Sequence, residues 1–217
     1  MNKTRDNYQF AIVGPSGRGK TYSFRNMDPL TTGFINAENK PLPFKNNFKH
    51  YAKPGNWQDT YNTLIEFAKN DEITSVVLES FSAYVDSLLK TAREIKKGFE
   101  TWNYYNEEIG KLLYLIKKYP KDIFVTAHTD LVQTEEGVAE KRIGVKGNEW
   151  NKVGIEKDFT VVMYADVRLS KTKREYFLVL NSDGTTSAKT PPMFFEGEET
   201  IPNDCNEVLK EVQRALE

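Results

Sequence analysis

The sequence contains little of what disulfide-rich, zinc-cluster or membrane-spanning proteins need. Its 217 residues include one cysteine, Cys205, which excludes an internal disulfide and a Cys-cluster zinc site and fits a reducing compartment. No apolar run approaches the length of a membrane span, and we expect no signal peptide in the polar segment Met1–Asn7. The 30 basic and 31 acidic residues nearly cancel, which excludes a polybasic mode of nucleic-acid binding but not a local basic patch. These absences predict a cytoplasmic protein without a membrane partner.

The chain does have a regular alternation of short apolar runs with longer amphipathic segments. The short runs are Tyr8–Val13, Gly33–Ala37, Ser75–Leu78 and Asp122–Ala127. Most of them do not alternate apolar with polar residues, as expected for strands that are buried on both faces of a parallel sheet. Between them, apolar residues recur at helical spacing, in segments around Trp57–Ala68, Val85–Ile95 and Trp102–Ile116. This alternation predicts an α/β fold with a mostly parallel, twisted sheet flanked by helices.

The character of the sequence changes after Thr129. The polar segment Thr134–Asn148 predicts a loop or mobile hairpin, and two strands are predicted at Phe159–Leu169 and Glu175–Leu180. Asn203 or Asp204 can cap a last helix. We therefore predict a single domain over residues 1–217, with a hairpin-rich part at about 140–195 and a C-terminal helix at 203–217.

A phosphate-binding motif follows the first predicted strand. It fits G-x-x-x-x-G-K-[ST] at every position, with Gly14, Pro15, Ser16, Gly17, Arg18, Gly19, Lys20 and Thr21. The glycines let backbone N–H groups point inward as an anion nest, while Lys20 reaches the β- and γ-phosphates and the Thr21 hydroxyl ligates Mg²⁺. We expect a helix to run from here through Tyr22, which completes the predicted binding segment, to about Met27, and its dipole to add to the attraction. The motif predicts binding of a nucleoside triphosphate.

Polar residues follow three of the predicted strands. Glu79 ends the third run, where it holds the Mg²⁺ shell or faces solvent; aspartate is commoner at such a position, so the reach to the metal is altered. Glu38, just past the second run, either orients and deprotonates the attacking water or is an exposed loop acid. His128, or Thr126, senses the γ-phosphate or makes only a structural hydrogen bond.

In this order, the motif and the strand ends Phe34–Glu38, Val76–Ser80 and Phe124–His128 resemble the RecA-type core. More closely, the chain is similar to the short phage-encoded RecA-core ATP-binding proteins of the Sak group, which are associated with single-strand annealing and recombination. The Trp102-centred helix and Ala188–Pro191 also look like that group, and the resemblance extends from about Gln9 to Phe195.

The resemblance implies a RecA-like P-loop ATPase that uses ATP and Mg²⁺, acts on single-stranded DNA and assembles as a homo-oligomer. It leaves open whether a single-strand-binding protein is needed. Carried over, Glu38 becomes the water-activating base and His128 the sensor. A neighbouring subunit is expected to complete the ATP site with a cation, for which Lys189 is the first candidate and Lys146 the second.

The resemblance also implies that the DNA contact lies in the loop Thr129–Asn148. Between Lys141 and Lys189 the chain has ten basic and six acidic residues, a local charge of +4. The basic turn Arg168–Arg174 and the stacking ring of Trp150 supply what single-stranded DNA needs, whereas Trp102 and Tyr105 lie on an apolar helical face that predicts core packing.

Two other functions fit the same motif. Gly14–Gly17 is also how guanylate-type kinases begin, so a P-loop nucleotide kinase is an alternative, although the arginines that its lid would need are scattered. The unusual Glu79 also keeps open a non-hydrolysing ATP switch or loader that recruits a replication or recombination partner.

Overall fold

The computed structural model describes residues 6–133 and 137–217. Most of the predicted N-terminal segment Met1–Asn7 and the start of the predicted loop Thr134–Asn148 lie outside these residues. The described strands are β1 (Gln9–Val13), β2 (Thr32–Asn36), β3 (His50–Ala52), β4 (Ser75–Glu79), β5 (Asp122–Ala127), β6 (Thr129–Gln133), β7 (Ala139–Ile143), β8 (Val161–Leu169), β9 (Arg174–Val179) and β10 (Thr200–Pro202). The described helices are α1 (Trp57–Lys69), α2 (Phe81–Ile95), α3 (Phe99–Lys117), α4 (Asn148–Val153) and α5 (Cys205–Ala215).

Within the described residues, eight strands form one sheet in the order β10-β9-β8-β1-β5-β4-β2-β3. The strands from β8 to β3 run parallel, and β9 and β10 extend the sheet with antiparallel pairs. β6 and β7 form a separate antiparallel hairpin directly after β5, beginning earlier than the predicted Thr134. The predicted mostly parallel sheet with a β-rich C-terminal part is confirmed. β3 and β10, which the sequence did not predict, have three residues each, too few for a hydrophobic period to show.

The sheet is buried on both faces, as expected for strands that are apolar at consecutive positions. Along β1, Ala11 and Val13 pack into the core that α1, α2 and α3 cover, while Phe10 and Ile12 pack into the opposite core, which α5 covers. Phe10 stacks on Phe124 of the neighbouring strand with ring centroids 4.4 Å apart. Within the described residues, no helix combines the length and apolar character that crossing a membrane requires.

The helical-face predictions were wrong at two positions. Trp102 is 37% exposed and Ile95 is 55% exposed, whereas Tyr105 is fully buried as predicted. Both exposed residues lie near the corner where α2 ends and α3 begins. The helical period places these side chains on the apolar face, but at the corner the described elements cover that face only in part, with Gly147 beside the Trp102 ring.

The helix predicted after the phosphate loop is also absent from the structure. Only a 3₁₀ turn, Thr21–Phe24, forms there, and the N–H groups of Arg25 and Met27 bond three residues back. The Ser23 hydroxyl bonds to the carbonyl of Lys20, which competes with regular helical bonding. Because a single 3₁₀ turn has no long helix dipole, attraction for phosphate must come from the loop amides and Lys20.

The start of α5 braces this turn and the loop before it. Asp204 caps α5, and the guanidinium of Arg25 donates to the carbonyl of Asn203 at 2.5 Å. The Asn203 side-chain amide donates to the carbonyl of Gly19 at 3.3 Å. Residues nearly the whole chain length apart therefore hold the phosphate loop in place.

Candidate nucleotide-binding site

A cavity of about 410 Å³ lies at the sheet edge where β1, β2, β4 and β5 end. Its lining residues are Ser16, Gly17, Gly19, Lys20, Thr21, Tyr22, Glu38, Lys40, Pro43, Glu79, His128 and Tyr176. The carboxyl ends of parallel strands are the usual place for a ligand in an open α/β sheet. The structure thus brings the residues predicted from three strand ends and from the loop around one space.

The loop backbone is shaped to receive an anion. Gly17 and Gly19 have positive φ angles of 78° and 89°, which L-residues with side chains rarely adopt. The Gly14 amide donates to the carbonyl of Ala127 at 3.2 Å, whereas in the described part of the chain the amides of Ser16, Gly17 and Gly19 make no such bond. Free amides around a turn of this kind form an anion nest. Pro15 and Arg18 line a separate cavity of about 480 Å³, and Arg18 pairs with Asp166 at 2.8 Å.

The Lys20 ammonium lies inside the loop. The side chain is buried, and its Nζ donates to the carbonyls of Gly14 at 2.8 Å and Pro15 at 3.0 Å. His128 Nδ1 lies 3.4 Å from the same Nζ. Burial lowers the pKa of Lys20, although the charges of Glu79 and Glu38 oppose this change. The ammonium is thus already positioned for a phosphate that enters the loop.

Thr21 and Glu79 form the oxygen pair expected of a magnesium site. The Thr21 hydroxyl donates to Glu79 Oε1 at 2.9 Å, and Glu79 is only 4% exposed, so the solvent-facing alternative is wrong. Its second oxygen, Oε2, is buried without a hydrogen-bond partner among the described residues. Burial raises the pKa of Glu79 to about 7, while the nearby hydroxyls of Thr126 and Thr21 act in the opposite direction.

These donors fit Mg²⁺ rather than a metal held by protein alone. Mg²⁺ usually takes one or two carboxylates together with substrate phosphates and water. Over the described ranges, no cluster of three or more His, Cys, Asp or Glu side chains is able to hold a metal ion. A hydroxyl and a carboxylate with one unpartnered oxygen, beside a phosphate loop, match the donor set that Mg²⁺ bound to a nucleotide would need.

Glu38 is a fixed, ionised carboxylate opposite the loop. The amides of Ala37 and Glu38 both donate to the carbonyl of Glu79, which ties the end of β2 to the end of β4. Glu38 Oε1 accepts a hydrogen bond from the Ser80 hydroxyl at 3.1 Å. Burial acts to raise the pKa of Glu38. The hydrogen bond and charge of Lys40, together with the Ser80 hydrogen bond and the charge of His128, outweigh burial and lower this pKa below its ordinary value.

His128 lies between the loop and this carboxylate. Its Nε2 is 3.8 Å from Glu38 Oε1, and burial, followed by the charge of Lys20, lowers its pKa, which favours the neutral imidazole. Its carbonyl accepts a bond from the Gly144 amide at 2.8 Å, so the residue also anchors the base of the β6–β7 hairpin. Thr126 is fully buried and does not line the cavity, which leaves His128 as the polar residue that β5 presents there.

Sequence reasoning missed Lys40, Pro43 and Tyr176. Tyr176 comes from β9, and a Cβ atom on Gly19 would lie 2.7 Å from its ring. Tyr22 and Tyr176 have ring centroids 5.9 Å apart, so two aromatic rings stand beside the loop. Nothing in the sequence around Tyr176 indicates that it reaches the cavity. Lys40 could have been predicted, because it is a cation two residues after Glu38.

The structure does not bring the two predicted trans cations to the cavity of their own chain. Lys189 exchanges backbone hydrogen bonds with Val162, and burial lowers the pKa of its ammonium despite Glu156 and Asp158 nearby. Lys146 lines a hollow beside Trp102. Their action on a neighbouring subunit stays a prediction.

Trp150, the predicted stacking ring, is only partly open, and its role in DNA contact stays a prediction. Trp150 is half-buried, packs against the main core and donates from its indole nitrogen to Asn106 Oδ1 at 3.0 Å. Trp102, predicted to be a core residue, is the more open of the two rings.

A complete phosphate loop after the first strand of a mostly parallel sheet, with acids at neighbouring strand ends, defines a P-loop ATPase of RecA-like fold. The chain belongs to the AAA_24 family, an AAA domain, which it matches over residues 6–191. No curated protein matches the sequence.

Solved structures that are similar to the chain include a KaiC-like protein and a recombinase. A KaiC-like protein from the hyperthermophilic archaeon Pyrococcus horikoshii OT3 has a TM-score of 0.49 and 13% identity, over 85% of this chain and 82% of that one. The RadB recombinase has a TM-score of 0.45 and 12% identity, over 79% of this chain and 80% of that one. The narrower resemblance to the phage Sak group stays a prediction.

Proposed function

We propose that this protein is a Mg²⁺-dependent ATPase that acts on single-stranded DNA in phage recombination or single-strand annealing, in the host cytoplasm, as a homo-oligomer of single-domain chains. The observation that carries the ATPase proposal is the placement of Lys20, the Thr21–Glu79 pair and the Glu38 carboxylate around one cavity. The requirement for a partner single-strand-binding protein stays open.

The geometry assigns a task to each group. The loop amides and Lys20 bind the phosphates, while Thr21 and Glu79 would hold Mg²⁺, which when bound neutralises phosphate charge. The Glu38 carboxylate accepts a proton from the attacking water, whose oxygen bonds to the γ-phosphorus as the bond to the β–γ bridging oxygen breaks. The products are ADP and phosphate, and the neutral His128 contacts both the loop ammonium and the base.

The cavity favours hydrolysis over phosphoryl transfer to a second nucleotide. Its cations are lysines, and no arginine lines it among the described residues. Nucleotide kinases need an arginine-rich lid and a second substrate site. Glu79, which stands where aspartate is commoner, keeps the non-hydrolysing loader as the second candidate.

ATP turnover with and without single-stranded DNA tests the proposal directly, together with particle size from light scattering. ADP plus free phosphate, rising with single-stranded DNA, supports it. Phosphate transfer to a nucleoside monophosphate, seen by thin-layer analysis, would instead favour the kinase. Stoichiometric ATP binding without turnover under any DNA condition would favour the loader.

Two surfaces support a DNA contact. The turn between β8 and β9 is exposed and carries Lys171, Lys173 and Arg174. At the α2–α3 corner, Trp102 stands between two hollows of about 510 and 570 Å³. Lys90, Arg93 and Lys146 line the first hollow with Asp86 and Glu94, and the exposed ring of Phe99 lines the second.

Replacement of Lys171, Lys173 and Arg174 by glutamine is expected to weaken single-stranded oligonucleotide binding and to reduce its salt dependence. Each lost phosphate contact should lower the slope of log affinity against log salt by about 0.7. Fluorescence anisotropy over a salt series measures both quantities. Undiminished binding with an unchanged slope would remove the β8–β9 turn from the DNA surface.

Replacement of Trp102 by alanine is expected to lower oligonucleotide affinity about tenfold, because stacking one base on an aromatic ring contributes about 1–3 kcal/mol. The Trp102 ring is held edge-on against Tyr105, with centroids 5.8 Å apart, so it is positioned before DNA arrives. Tyr114→Ala is the matched control, because Tyr114 is an exposed aromatic residue on the same helix outside both hollows. Equal affinities for the two variants would contradict the stacking role.

A further inference from the structure

The turn after β2 fixes the backbone of Lys40 beside the candidate base. The buried Asn36 side chain donates to the carbonyl of Lys40 at 2.7 Å. Asn39 has a positive φ of 58°, and its side chain donates to the carbonyl of Pro54 at 2.8 Å. Two asparagine side chains therefore hold the turn in one shape, with Lys40 at the cavity wall.

The Lys40 ammonium is in the cavity but is not buried. Its Nζ lies 2.8 Å from Glu38 Oε2, and the side chain is 75% exposed, so the ammonium is free to move on its flexible stem. Its charge contributes to lowering the pKa values of Lys20 and His128, the two other nitrogen groups of the site. Lys40 and Lys20 thus line the same cavity.

A triphosphate must place its terminal phosphate in that cavity. Lys20 reaches the β- and γ-phosphates, and the base must lie within hydrogen-bond reach of the water that attacks the γ-phosphorus. The terminal phosphate therefore lies between Lys20 and Glu38, beside the Lys40 ammonium that pairs with Glu38 Oε2. An incoming phosphate oxygen competes with the Glu38 carboxylate for this cation.

We propose that Lys40 leaves Glu38 when ATP binds and contacts the oxygens of the terminal phosphate in the same chain. The exchange supplies a second cation to the developing charge on the transferred phosphoryl group and frees Glu38 to accept the proton of the attacking water. The inference rests on the proposed ATPase function. It assigns within one chain the task that sequence reasoning gave to Lys189 or Lys146 of a neighbour.

The ATP and ADP affinities of the Lys40→Met variant distinguish a contact with the terminal phosphate from a role limited to restraining Glu38. A terminal-phosphate contact predicts that ATP affinity falls about tenfold or more while ADP affinity stays within about twofold, since a hydrogen bond to a charged group is worth that much. Lys40→Arg should keep most of the ATP affinity. Lys45→Met, an exposed lysine in the same loop outside the cavity, is the matched control. Unchanged ATP affinity, or an equal loss for ADP, would overturn the proposal.

A mixing experiment then decides between action within a chain and action on a neighbour. Lys40→Met chains have an intact phosphate loop, and Lys20→Ala chains have an intact Lys40. If Lys40 acts on its own site, the mixture of the two variants hydrolyses ATP no faster than their separate rates combined. Recovery of turnover in the mixture would overturn the inference, because it requires a neighbour's Lys40.

The failures of the two proposals are distinguishable. Wild-type protein that neither binds nor hydrolyses ATP would end the proposed function and this inference with it. Wild-type protein that hydrolyses ATP, beside a Lys40→Met variant with equal ATP affinity and turnover, would end only the inference.

Discussion

Lys20→Ala is expected to lower ATP affinity by at least about a hundredfold, and turnover with it, because Arg18, the other cation of the loop, pairs with Asp166 at a separate cavity and cannot replace the buried Lys20 ammonium. In the structure, the Lys20 ammonium offsets the dipoles of the Gly14 and Pro15 carbonyls, both of which accept hydrogen bonds from its Nζ. Without it, those two carbonyl dipoles would face the anion directly. The loss should therefore exceed that of one ordinary hydrogen bond.

Titration calorimetry with ATP and Mg²⁺ measures the loss. Lys69→Ala, which removes an exposed lysine at the end of α1, controls for the change in net charge. Circular dichroism must show that the Lys20 variant is folded. A folded Lys20→Ala variant that binds ATP with wild-type affinity would show that the cavity does not hold the triphosphate as proposed.

Glu38→Gln is expected to retain ATP binding while turnover falls by about 10²-fold or more, the usual contribution of a general base. Glutamine has the same shape as glutamate, and its carbonyl oxygen can still accept the bond from Ser80. It cannot take up a proton from water, and it no longer holds Lys40 as an ion pair. Because the pKa of Glu38 is lowered, the wild-type carboxylate is ionised at neutral pH before nucleotide binds, and it acts as the base once Lys40 has left it.

Single-turnover kinetics, run beside equilibrium binding, separate the two effects. Glu66→Gln, an exposed glutamate on α1, serves as the control. Turnover by Glu38→Gln at the wild-type rate would show that the assigned base is wrong. A loss of ATP binding equal to the loss of turnover would indicate a structural role at the β2–β4 edge instead.

The sequence predicted the parallel core and the residues at its strand ends because both depend on local patterns. β5 has the predicted bounds, and β1 and β4 differ from prediction by one residue at one end. Once parallel strands are expected, the residues that end them must meet at one edge, and Lys20, Glu38, Glu79 and His128 do line one cavity there.

What the sequence could not supply depends on contacts between distant elements. Trp102 was predicted to be a core residue but is 37% exposed, since a helical period identifies a face but not which part of it another element covers. Tyr176 reaches the cavity only because β9 lies beside β8 in the finished sheet. The helix predicted after the phosphate loop does not form, because contacts with α5 and the Ser23 hydroxyl hold the segment in a 3₁₀ turn.

The brace between α5 and the phosphate loop has a consequence for how the protein is made. Asn203 is synthesised 184 residues after Gly19, so the phosphate loop leaves the ribosome well before the residue that braces it. A nascent chain that lacks Asn203 and α5 has the full motif but not the contacts that shape it. We therefore expect the loop to reach its full ATP affinity only after α5 has been synthesised and has docked.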